Sequence, residues 1–134
     1  MGRIKLPPTG PQILLAENDE LLCEVVGEAL QRQGLSFATA RTGDEAIAMA
    51  YRLRPQIVLV DTHMPGQSGY LVAAKLTLAH PRPAVLIVTS SPRGQSDRLA
   101  EFVRADAMLH KPFAITKLLA TLDGLLQRTH AHAG

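Results

Sequence analysis

Residues 55–69 read PQIVLVDTHMPGQSG, and the fold turns on how that stretch is taken. Four apolar residues, Ile57, Val58, Leu59 and Val60, follow one another without a polar break. A strand with one wet face would alternate. An unbroken, partly β-branched run suits a strand covered on both faces, as in a parallel sheet. The run ends on a carboxylate, Asp61, and then breaks into a Pro-Gly loop.

Two further runs have the same character, ILLA at residues 13–16 and AVLIV at 84–88, with weaker strand candidates at 35–39 and 107–110. Helical spacing fills the intervals. Leu22, Val25, Val26, Ala29 and Leu30 recur at i, i+3 and i+4, and Gly34 is a natural stop. Thr42 with Glu45 forms a capping box ahead of Ala46, Ile47 and Ala50. Ser68 caps a helix carrying Leu71, Val72, Leu76 and Ala79, ending before His80-Pro81. Leu99, Phe102 and Val103 mark a short fourth helix; Ile115, Leu118, Leu119, Leu122, Leu125 and Leu126 mark a fifth. Strand and helix alternate five times, with no internal repeat. The expectation is an α/β fold, a single-domain doubly wound (βα)5 sandwich over residues 12–128. Pro7, Pro8, Gly10 and Pro11 make residues 1–11 read as a flexible N-terminal arm, and residues 129–134 as a short polar C-terminal tail.

Composition narrows the functional classes. Of 134 residues, 46% are hydrophobic and 19% charged, enough for a real core. A formal net charge of +2, three Phe, two Tyr and no Trp give neither a basic footprint nor a stacking platform, so no nucleic acid is expected to bind this domain. No apolar run approaches the roughly 20 residues of a membrane span, and the N-terminus lacks the apolar core of a secretory signal. The lone Cys23 sits among apolar neighbours and reads as a small core residue of a protein in a reducing, cytoplasmic setting. His130 and His132 near the terminus read as solvated rather than metal-binding.

Ligands of open parallel sheets bind beyond the carboxyl ends of the strands. Glu17, Asn18 and Asp19 follow the first apolar run, Asp61 the third, Thr89 and Ser90 the fourth, and Lys111-Pro112 the fifth. Any one of these is ordinary, since loops are polar and helices favour Asp or Ser caps. Together they set carboxylates, a hydroxyl and an amine on one rim. Mg²⁺ takes carboxylate oxygens with water and phosphate oxygens. A phosphoryl group in transfer needs a cation, an ammonium and hydroxyl donors around its oxygens, and a carboxylate can serve as the nucleophile.

ILLAEND, PQIVLVDTHMPGQSG, AVLIVTSS and ADAMLHKPF also carry a resemblance. From residue 12 to 128 the chain resembles a response-regulator receiver domain of two-component signalling, a CheY-like, flavodoxin-type fold. That resemblance implies a five-stranded parallel sheet in order 2-1-3-4-5. It implies that Asp61 is the phosphoacceptor, taking its phosphoryl group from a histidine kinase or phosphotransfer protein. Glu17, Asn18, Asp61 and the backbone carbonyl of His63 are the implied Mg²⁺ ligands. Thr89 and Lys111 are the implied phosphate-binding pair, with a cis bond between Lys111 and Pro112. Met108 falls at the switch position, and His63 and Ser91 at positions that tune the lifetime of the acyl phosphate. The expected role is that of a signalling domain rather than an enzyme, acting by protein–protein contact without an attached output domain. A homodimer through the face of the fourth helix, fifth strand and fifth helix is a further expectation.

The chain departs from the pattern at three places. Asn18 stands where the family usually has a metal-binding aspartate, so the Mg²⁺ site is expected to be weakened. Asp19 is available nearby, but its ordinary role is a helix N-cap. Met108 replaces the usual Tyr or Phe and lacks a ring and a hydroxyl. Arg104 replaces a common glycine, suggesting a different turn into the fifth strand. Asn18 and Met108 motivate the alternative of a degenerate receiver that binds partners independently of phosphate. An aspartyl-nucleophile phosphatase would carry an acidic residue at position 63, which is histidine here. A flavin carrier would not place the acidic AENDE against a phosphate.

Overall fold

The computed structural model describes residues 10–133, with residues 129–133 described by backbone alone. Its elements alternate as expected: β1 (Ile13–Ala16), α1 (Glu20–Arg32), β2 (Phe37–Ala40), α2 (Gly43–Leu53), β3 (Ile57–Asp61), α3 (Gly69–Thr77), β4 (Ala84–Thr89), α4 (Arg93–Phe102), β5 (Ala107–His110) and α5 (Ile115–Ala133). All pairings are parallel, in the order β2-β1-β3-β4-β5. β1 lies between β2 and β3, and every residue from Ile13 to Ala16 is fully buried.

Alternate residues of each strand feed two separate cores. Leu14, Val58, Val60, Val85 and Ile87 pack with Ala46, Val72, Leu76 and Ala100 under α2, α3 and α4. Ile13, Leu15, Leu59, Leu86 and Val88 pack with Val26, Leu30, Leu118 and Leu122 under α1 and α5. The unbroken apolar runs are therefore the sequence of a sheet with no wet face.

The helix caps follow the side-chain chemistry. Leu22 N donates to Asp19 Oδ1 at 3.2 Å, Glu45 N to Thr42 Oγ1 at 3.1 Å, and Leu71 N to Ser68 Oγ at 3.3 Å. The bond between Lys111 and Pro112 is cis, and so is that between His80 and Pro81.

Four local readings change. The second strand begins at Phe37 rather than Leu35. Gly34 takes φ 72°, and Leu35 N bonds Leu30 O while Gly34 N bonds Gln31 O. Leu35 thus closes the C-terminal hydrogen-bond pattern of α1 and cannot open a strand. In α4 the inward residues are Ser96 and Ala100, with Val103 just beyond; Phe102 is 84% exposed. α3 ends at Thr77, and Leu71 faces solvent, with Ala73 buried instead. Finally, the backbone of residues 129–133, read as a tail, continues α5, which Gly124 does not break. Residues 1–9 of the expected arm lie outside the described residues. Among the described residues, no helix is long and apolar enough to cross a membrane.

Candidate functional site

The carboxyl ends of β1, β3, β4 and β5 converge on one rim. Asp61, the last residue of β3, is 5% exposed, and Glu17, directly after β1, is 1% exposed. Lys111, directly after β5, reaches both: its Nζ lies 2.5 Å from Asp61 Oδ2 and 3.2 Å from Glu17 Oε1. The His63 amide donates to Asp61 Oδ1 at 2.8 Å, so both oxygens of Asp61 are engaged. Lys111 N also donates to Thr89 O at 2.7 Å, fixing the ends of β4 and β5 together.

Two carboxylates with one ammonium leave an excess of negative charge in a buried place. Burial pushes the Glu17 carboxyl up to about 7, and the adjacent Asp61 carboxylate adds to the rise. Burial acts on Asp61 in the same direction, but hydrogen bonds from Glu17, Lys111 and the His63 amide outweigh it and hold Asp61 below the usual carboxylate range. Burial disfavours the Lys111 ammonium, yet the two carboxylates keep its pKa above the ordinary lysine value. Asp61 is therefore the more acidic carboxyl of the pair, and Glu17 the one that takes up a proton first as pH falls.

The residues present fit a divalent cation. Glu17 Oε2 is buried and meets no N–H or hydroxyl of the described residues. Such an orphaned oxygen, next to a second carboxylate, is where a hard cation belongs. The set is sparse, however. Among the described residues, no three His, Cys, Asp or Glu side chains gather to hold a metal. Asp19 does not make up the number: its Oδ1 caps α1, and its N–H donates to Glu17 Oε1 at 3.3 Å. Asn18 lies exposed between the two.

The remaining positions fall as follows. Thr89 is fully buried at the end of β4, and the Ser91 amide donates to its Oγ1 at 3.0 Å. His63 is exposed above Asp61. Met108 stands in β5 opposite Ile87 and packs, half-buried, on the core under α4. Cys23 is a core residue whose Sγ lies 3.4 Å from Glu17 O, its thiol pushed up by burial. Arg104 adopts the left-handed conformation, φ 61°, that glycine would take. Thr62, not singled out from the sequence, is 5% exposed, and its Oγ1 lies 2.9 Å from that of Thr89. The available signal was two hydroxyl residues at the ends of neighbouring strands.

A five-stranded parallel α/β sandwich with an acidic pair and a lysine at its strand ends defines a class, and comparison with known proteins agrees. Residues 13–123 match the family described as response regulator receiver domain, and the chain belongs to that family. It is 36% identical over 118 residues to the probable transcriptional regulatory protein TcrX of Mycobacterium tuberculosis, covering 87% of this chain and 50% of that protein. It is 34% identical over 119 residues to the response regulator MprA of Mycobacterium leprae, covering 88% and 52%. The chain thus spans about half the length of these curated relatives. Among solved structures, a CheY-like receiver domain protein from Methanospirillum hungatei superposes with a TM-score of 0.86 at 20% identity, covering 92% of this chain and 99% of that one. The chemotaxis response regulator CheY4 of Vibrio cholerae gives 0.79 at 25% identity, covering 87% and 99%.

Proposed function

We propose that this receiver domain accepts a phosphoryl group on Asp61 from the phosphohistidine of a kinase or phosphotransfer protein, in a Mg²⁺-dependent relay. The observation that carries the reading is the buried Asp61 side chain, held between the Lys111 ammonium and the His63 amide beside Glu17. A carboxylate oxygen of Asp61 attacks phosphorus, the bond to the donor breaks, and an acyl phosphate remains. Lys111 moves its contact from the carboxylate to a phosphoryl oxygen, and Thr89 supplies a hydroxyl donor. Glu17, Asn18, Asp61 and the His63 carbonyl would hold Mg²⁺, which when bound neutralises charge on the phosphoryl oxygens. Glu17 would hold the cation as the carboxylate, so any proton on it would be released on loading. His63 and Ser91, at the mouth of the site, set how readily water reaches the acyl phosphate.

The donor docks on the apolar groove beside Lys111, formed by Leu21, Leu22, Val25, Pro112, Phe113 and Ile115. The signal leaves by protein–protein contact through the face of α4, β5 and α5, where two copies could also pair. Incubation with acetyl phosphate and Mg²⁺ tests the phosphoacceptor. Intact mass should rise by one phosphoryl group in wild type and not in Asp61→Asn; no rise under saturating conditions would refute the assignment.

The scarcity of acidic ligands favours a second reading, in which the domain binds its partner regardless of phosphate. Equal partner binding by wild type and Asp61→Asn would establish it.

A further inference from the structure

The Thr89 hydroxyl is already engaged. It accepts from the Ser91 amide at 3.0 Å and lies 2.9 Å from the Thr62 hydroxyl, which in turn lies 3.2 Å from His63 Nδ1. Both threonines are buried, Thr89 completely. Thr62 cannot drift away: its N–H donates to Val88 O at 3.1 Å and its carbonyl accepts from Gly69 N at 3.1 Å. A hydroxyl has one proton and two lone pairs. The amide bond from Ser91 occupies a lone pair and can persist while the Thr89 proton is redirected. With Thr62 donating its own proton to His63 Nδ1, Thr89 is the donor in the hydroxyl pair, and that contact is the one that competes with a bond from Thr89 to a phosphoryl oxygen.

We propose that Thr62 is a positioning residue: its hydroxyl holds that of Thr89 in the resting arrangement, and the phosphorylated state forms by exchanging this bond for one to the phosphoryl group. The inference rests on Asp61 being the phosphoacceptor. It places the restraint on Thr89 directly after β3, next to the acceptor, while Met108 in β5 has no hydroxyl or ring to offer. Removing the Thr62 hydroxyl leaves a buried Thr89 hydroxyl short of a partner in the resting state only, so the phosphorylated arrangement gains.

Beryllofluoride with Mg²⁺, a phosphoryl mimic whose binding is followed by fluorine NMR, is the probe. Thr62→Val is expected to bind it about fivefold more tightly than wild type, the scale of one net hydrogen bond. Thr62→Ser should match wild type, because it keeps the hydroxyl. In a Thr89→Val background the gain from Thr62→Val should vanish. Should Thr62→Val not fold, Thr62→Ala removes the same hydroxyl and should shift affinity in the same direction. Unchanged or weaker binding in the hydroxyl-free variant, or a gain that survives without the Thr89 hydroxyl, overturns the proposal alone. Failure of wild type to bind the mimic at all overturns the phosphoacceptor reading with it.

Discussion

Single residues decide how this rim handles charge. On the proposed reading, Asn18 offers an amide oxygen where a carboxylate would bind a hard cation more firmly. Asn18→Asp is expected to raise Mg²⁺ affinity tenfold or more, about 1.4 kcal/mol, as titration calorimetry would register; equal affinities would mean that another group supplies the ligand. Glu17 gives a pH signature in the metal-free protein. Its folded pKa of about 7 lies above the ordinary glutamate value of 4.5. Between those values the native state holds a proton that the unfolded chain has lost, so stability falls as pH rises through that window. The depressed Asp61 acts oppositely, its contribution present above the usual Asp pKa of 3.8 and lost only as pH falls below it. Denaturation midpoints without metal should therefore decline from about pH 4.5 to 7, and Glu17→Gln should flatten the decline. A flat wild-type profile would show that Glu17 is already ionised.

At the scale of elements, the start of α3 is the tightest junction. A Cβ on Gly69 would collide with the backbone of Asp61 and Thr62. Gly69→Ala must push α3 off β3 or distort the acceptor, and a loss of about 2–4 kcal/mol is expected by chemical denaturation. A loss below about 0.5 kcal/mol would mean that the junction yields freely. This junction also marks what the sequence made legible. Ser68 as a cap, β5 at residues 107–110, and the approach of Glu17, Asp61 and Lys111 could be read directly, because caps, apolar runs and strand ends follow local rules. The start of β2 could not, since Leu35 looks like a strand residue until its amide is seen closing α1. α4 misled because Leu99 and Phe102 are apolar yet lie 36% and 84% exposed. Thr62 escaped notice because a threonine at a strand end is ordinary; only the packing of β3 against β4 gives its hydroxyl a partner.

Across the whole molecule, burial is uneven. β1, β3 and β4 are buried throughout, whereas α4 turns only Ser96 and Ala100 inward and has no side-chain hydrogen bond at its N-cap. Local opening free energy follows such packing. Native-state hydrogen exchange should find α4 amides exchanging through local openings far faster than those of β1 and β3; exchange of α4 only with global unfolding would contradict this. The rim itself moves differently. With Lys111 N bonded to Thr89 O, the ends of β4 and β5 are coupled at the backbone. On the proposed reading, a ligand arriving at Asp61 therefore meets a backbone already tied across these two strand ends. The state of the site would then be written in which oxygen the Thr89 hydroxyl faces, a two-valued local choice, and Met108, unbranched and torsionally adaptable, would follow it without a ring having to turn.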